Sequence, residues 1–221
     1  LIKGTEAACG TDAAGAGAAS GEALFAKAHD YRKTMDVQAT MVEMGRAARA
    51  AARIVAASGV EQRNEALLQI RVALASNRKR ILLANERDLE AGRASGLDPA
   101  LLDRLALNAA RLDVLEEGLS QVAALPEPIG HITDVRRMPS GIDVGSMRVP
   151  LGVIGMIYES RPNVTVEAAS LCLKAGNAVI LRGGSEAIHS NTALGEAIAT
   201  GLATARPVSY THLRAHETRN Y

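Results

Sequence analysis

Two short apolar runs, VPLGVIGMIY at 149–158 and NAVILRG at 177–183, stand on either side of VTVEAASLCLKAG, which has helical periodicity. Strands that read as continuous Val/Ile/Leu runs are buried on both faces, and two strands joined by a crossover helix must lie parallel in one sheet. A further helical stretch, SEAIHSNTALGEAIATGLATA, follows the second run. The spacing predicts an α/β fold with a βαβα unit over 150–205. Open α/β sheets hold ligands at the carboxyl ends of their strands, which makes the residues after each run, Glu159 to Asn163 and Arg182 to Glu186, candidate site residues.

Upstream the period is helical. Met41, Met44, Ala48, Ala51 and Val55 mark one face of a helix that Gly59 ends. A second helix is expected from about Glu61 to Ser76, burying Ala66, Leu67, Ile70 and Leu74, and a third through RILLANERDLEAGRAS before Gly96. Asp98 with Pro99 caps a short helix, and Asn108 caps another whose Leu112, Leu115, Leu119 and Val122 share a face. At 130–149 the period changes to two: Ile132, Asp134 and Arg136, then Ile142, Val144 and Ser146 around a Pro-Ser-Gly turn, predict a two-stranded ribbon.

The expected organisation is a helical part at 35–129, a β-ribbon arm at 130–149 and the βαβα part at 150–205. Residues 1–34, Ala/Gly-rich and without a sustained period, read as a disordered or non-native leader, with Met35 or Met41 a natural start. The tail 206–221 arrives where a third strand is due, supplies none, and reads as foreign sequence. A sheet that stops after two strands should leave an unpaired edge, and Leu67, Ile70 and Leu115 should need further strands to bury them.

Composition excludes several functions. Lys and Arg number 25 against 24 Asp and Glu, a net charge of +1, so no basic field draws nucleic acid or anionic lipid. There is no Trp and only 2% aromatic residues, too few for base-stacking platforms. No run approaches the roughly 18 apolar residues of a membrane span, and the first residues lack the order of a signal peptide. Cys9 and Cys172 lie in unlike surroundings and suggest no disulfide framework, which points to a reducing, cytoplasmic setting.

Arg182, followed by Gly183 and Gly184, places a cation beside a backbone that a ligand can approach closely, and Ser185 can cap the next helix so that its N-terminus faces an anion. The plainer alternative is an ordinary Gly-rich turn. Arg161 can clamp a phosphate or carboxylate through two parallel hydrogen bonds, and Asn163 can donate its amide to a developing oxyanion; alternatively Asn163 only caps the helix behind it. Cys172 sits between Leu171 and Leu173, where a buried thiol is a poor nucleophile. His212 and His216 stand four apart with no acidic or thiol partner, so no metal is expected.

Taken together, LDRLAL, NERDLEAGRASGL and RVPLGVIGMIYESRPNVTVEAASLCLKAGNAVILRGGSEA resemble the glutamate-5-semialdehyde dehydrogenase (gamma-glutamyl phosphate reductase) family of the aldehyde dehydrogenase superfamily. The resemblance runs from about Met41 to Ala205. It implies an incomplete cofactor domain of aldehyde dehydrogenase type and NADP(H)-dependent reduction of L-glutamate 5-phosphate to L-glutamate 5-semialdehyde in proline biosynthesis. It also implies a homo-oligomer for the intact protein, assembled through the ribbon arm.

The family's nucleophilic cysteine lies in a later domain, and Cys172 does not match its motif, so the chain alone is expected to be inactive. By the resemblance Tyr158, Glu159, Arg182, Gly183, Gly184, Ser185 and Glu186 meet the cofactor, Arg161 and Asn163 meet the substrate, and Asn163 is the oxyanion donor. The competing readings are a non-catalytic nucleotide-binding or interaction module, and a different aldehyde dehydrogenase.

Overall fold

The computed structural model describes residues 37–205. The leader, the tail, Cys9, His212 and His216 lie outside them. From Val42 onward the described residues form one unit.

Helix α1, Val37–Ala57, buries Ala48, Ala51, Ala52 and Val55, whereas Met41 is exposed and Met44 half-buried, so the expected stripe is buried only from Ala48. Helix α2 runs unbroken over Val60–Ala94, correcting the expected division into two helices. The segment between those expected helices, NRKR after Ser76, contains neither Gly nor Pro. Ser76 Oγ donates to the carbonyl of Val72 and Asn77 Nδ2 to that of Ala73, so polar groups that favour turns elsewhere are absorbed by the helix itself. At 35 residues α2 spans about 50 Å and forms the spine of the fold.

Asp98 caps α3, Pro99–Leu105, accepting from the Ala100 N–H at 2.8 Å. Asn108 caps α4, Ala109–Ala124, accepting from the Arg111 N–H at 2.8 Å. Both caps fall where the sequence puts them. Strands β1, Ile132–Arg137, and β2, Asp143–Met147, form the antiparallel ribbon. Its register shifts between Thr133 and Arg136, where Asp134 takes a φ of 56°; this bulge breaks the simple alternation that the sequence suggests.

Strand β3, Val153–Ile157, pairs in parallel with β4, Ala178–Arg182, and α5, Asn163–Lys174, crosses between them. A 3-10 turn, Ser185–Ala187, leads into α6, Ile188–Thr204. The βαβα unit is therefore as expected, but β3 is not buried on both faces. Ile154 and Met156 pack with Val179 and Leu181 of β4 against the helical core, while Val153 and Ile157 are exposed. The opposite face meets α1 at the start of β4, where Ala178 is buried with Ala51 and Ala52.

Leu67, Ile70 and Leu115 are buried without further strands, contrary to expectation. They sit in one cluster with Leu119, Leu194 and Ile198, built by α2, α4, α5, β4 and α6. Close approach of α6 to α2 makes this possible: a Cβ on Gly201 would stand 2.5 Å from Ile70 Cα. Beside the core, Lys174 donates from Nζ to Asn64 Oδ1 at 2.7 Å and to the Ala123 carbonyl at 2.8 Å, while Arg63 pairs with Glu127 at 2.6 Å. Burial, opposed by Glu127 and reinforced by Arg63, leaves the Lys174 amine below its ordinary value.

Candidate nucleotide site at the strand ends

The parallel ladder continues one bond past β3, with the Tyr158 N–H donating to the Arg182 carbonyl at 3.0 Å. The two connecting segments, 158–162 and 183–187, then lie side by side. Ser160, 3% exposed, faces Glu186 across them, Oγ to Oε1 at 3.3 Å, and Ser185 Oγ stands 3.5 Å from Glu186 Oε2. Both expected clusters are thus brought to one end of the sheet.

Glu159, Arg161, Arg182 and Ser185 are exposed there; Tyr158, Asn163, Gly183, Gly184 and Glu186 are half-buried. The Arg161 N–H donates to the Glu159 carbonyl at 2.7 Å, which draws this segment into a tight turn before α5.

Two capping expectations are corrected. Asn163 is the first residue of α5, too late to cap it, and its Nδ2 donates to Glu167 Oε1 at 3.0 Å. Ser185 makes no capping bond, because the 3-10 turn separates it from the first amides of α6.

Asp88 of α2 caps α6 instead. It accepts from the His189 N–H at 3.1 Å, the Ser190 N–H at 2.7 Å and the Ser190 hydroxyl at 2.5 Å. The α6 terminus proposed from sequence for an incoming anion therefore already holds an internal carboxylate, and an anion at this turn is left with Arg182 and the glycine backbone.

The sequence reading also missed Thr165 and Asn191. Tyr158 OH lies 2.6 Å from Thr165 Oγ1, and Thr165 Oγ1 donates to Asn191 Oδ1 at 3.0 Å. Burial raises the Tyr158 phenol above its ordinary value.

For Asp88 a signal was available. Ile81, Asn85, Asp88 and Gly92 continue the buried stripe of Leu67, Ile70 and Leu74 at helical spacing, so a carboxylate on that face required a partner. Asn191 offers no comparable signal, since polar residues are ordinary in the first turns of a helix.

Cys172 is 7% exposed, and burial raises its thiol. A cavity of about 20 Å³ lies in the core between Ile70, Leu173, Val179 and Ile198, away from the strand-end segments, and is of water size. Among the described residues no group of three or more His, Cys, Asp or Glu side chains could hold a metal, and no helix is long and apolar enough to cross a membrane.

The fold is found among solved aldehyde dehydrogenases. An NAD-dependent benzaldehyde dehydrogenase from Corynebacterium glutamicum, 20% identical, matches with a TM-score of 0.52 over 72% of this chain and 31% of that one. The fold is of the aldehyde dehydrogenase class.

Within that class the chain groups with the gamma-glutamyl phosphate reductases. The Thermotoga maritima enzyme is 40% identical, with a TM-score of 0.72 over 75% of this chain and 40% of that one. The Saccharomyces cerevisiae enzyme is 31% identical, with a TM-score of 0.70 over 73% and 41%. The chain thus spans about two fifths of the length of these relatives. No family model matches it.

Proposed function

We propose that the chain supplies nucleotide-binding residues to an NADP(H)-dependent oxidoreductase that reduces L-glutamate 5-phosphate to L-glutamate 5-semialdehyde and phosphate, a step of proline biosynthesis. The observation that carries this reading is the 40% identity to a gamma-glutamyl phosphate reductase over 75% of the chain. A cytoplasmic setting and a homo-oligomer for the intact protein go with it.

The residues at the strand ends suit such a nucleotide. Arg182 offers an exposed guanidinium for a ribose 2'-phosphate, and the Glu186 carboxylate, with Ser160 and Ser185 beside it, accepts from ribose hydroxyls; the space left by the missing side chains of Gly183 and Gly184 is taken by Asn191 and Glu186, so these glycines bring the turn close to its own supports. Tyr158 and Glu159 line the neighbouring edge. When bound, NADPH supplies the hydride.

On the substrate side Arg161 holds the acyl phosphate. Asn163 directs an amide N–H at the developing oxyanion; its Nδ2 carries two hydrogens, and the Glu167 bond occupies one. The attacking thiolate comes from outside residues 37–205, because burial disfavours ionisation of Cys172. For this chain alone, that burial favours the second reading, a nucleotide-binding module without turnover.

Titration of the purified chain with NADPH and NADH, followed by nicotinamide fluorescence, tests the reading. NADPH should bind more tightly. Arg182→Ala should weaken NADPH by about 1.5–3 kcal/mol, the worth of a hydrogen bond to a charged group, and leave NADH nearly unchanged. Equal weakening of both nucleotides, or binding of neither, would remove NADP(H) from the proposal.

A further inference from the structure

The ladder bond from the Tyr158 N–H to the Arg182 carbonyl, 3.0 Å, ties the segment after β3 to the end of β4. On the far side of Arg182 the turn rests against a buried side chain of α6. Asn191 of α6 is 3% exposed, and its Nδ2 lies 2.1 Å from where a Cβ on Gly183 would stand. Any side chain at 183 would claim the space of that amide, so the backbone is seated on Asn191.

The other end of the Asn191 amide is tied down as well. Thr165, also 3% exposed, has one hydroxyl proton and gives it to Asn191 Oδ1. The Tyr158 phenol must therefore donate in the 2.6 Å bond to Thr165. Donors run one way, from Tyr158 through Thr165 to Asn191, and join the segment after β3 to the turn after β4.

We infer that Asn191 is a positioning residue for nucleotide selection: through the Gly183 backbone it fixes the turn from which Arg182 reaches the nucleotide, and through Thr165 it keeps that turn in register with Tyr158. This rests on the nucleotide reading above. As a positioning residue Asn191 touches neither nucleotide nor substrate. Its effect should appear as loss of discrimination between NADPH and NADH, which loss of stability alone does not alter.

The test measures NADPH and NADH dissociation constants and thermal midpoints for the full 221-residue chain, Asn191→Ala, Gly183→Ala, the double variant and Arg182→Ala. Asn191→Ala should lower the NADPH-to-NADH affinity ratio about five-fold, the scale of one ordinary hydrogen bond. Gly183→Ala, which leaves the Tyr158–Thr165–Asn191 chain chemically intact while displacing the turn, should lower the ratio similarly. The double variant should show less than the product of the two effects, because both act at one contact.

An unchanged ratio in both single variants, with or without a lower midpoint, overturns the inference and leaves Asn191 as core packing. If Arg182→Ala also leaves the ratio unchanged, or the unmutated chain binds neither nucleotide, the nucleotide reading fails and the inference falls with it.

Discussion

The two strand-to-helix connections begin alike and end differently. After β3 the chain enters α5 without a side-chain cap, and Asn163 turns its amide to Glu167 on the helix surface. After β4 the chain inserts a 3-10 turn, and the first amides of α6 close on Asp88, a carboxylate from the other side of the core. The first connection leaves polar side chains at the surface for a ligand. The second spends its helix terminus on holding α6 against α2. A helix N-terminus after a parallel strand is thus not automatically an anion site; the nearest buried carboxylate decides.

The sharpest way to break this contrast is Asp88→Ala. Three donors lose a buried acceptor, and the expected cost is about 3 kcal/mol in urea unfolding, since each stranded buried group costs on the order of 1–3 kcal/mol and partial rehydration recovers some of it. A loss below about 1 kcal/mol would mean that the α6 terminus is satisfied in another way.

Asn163→Ala probes the other connection, where stability and activity should separate. Because Asn163 does not cap α5, unfolding should shift by less than about 0.5 kcal/mol. If the amide serves the oxyanion of the proposed reduction, turnover by the intact protein should fall about 100-fold, roughly 2.7 kcal/mol. Near-normal turnover would return Asn163 to a surface bond with Glu167.

The smallest expected effect belongs to the link between the two connections. Tyr158→Phe should cost about 1 kcal/mol through the lost Thr165 bond. It should also remove a pH dependence. The folded-state pKa of Tyr158 is raised above its unfolded value of 10.0, so its contribution is fully present below pH 10 and is lost as pH rises from there through the folded value. Stability of the unmutated chain should therefore fall across that alkaline range more steeply than that of the Phe variant. Parallel curves would show that Tyr158 ionises equally well in both states.

Much of the fold was legible because local physics decided it. Asp98 and Asn108 cap their helices by bonds that span two or three residues, and the strands β3 and β4 are short, mainly apolar runs. The helix break expected near residue 77 failed because turn-forming Ser and Asn bond equally well to carbonyls four residues back within a helix, and no Gly or Pro forces the chain out. The two-sided burial expected for β3 failed for another reason. Apolar content records what a strand can bury, whereas its neighbours determine which face is covered.

By itself the sequence determined the order of elements, the parallel pairing implied by the βαβ spacing, and the side chains available at the strand ends. Those follow from contacts within a few residues or from chain connectivity. Only the tertiary structure decided that Asp88, 101 residues before His189, closes α6, that Gly201 lets two helix backbones meet, and that Asn191 lies beneath Gly183. Each of these depends on two distant segments arriving at one place, where burial makes a single polar bond or a single missing Cβ decisive.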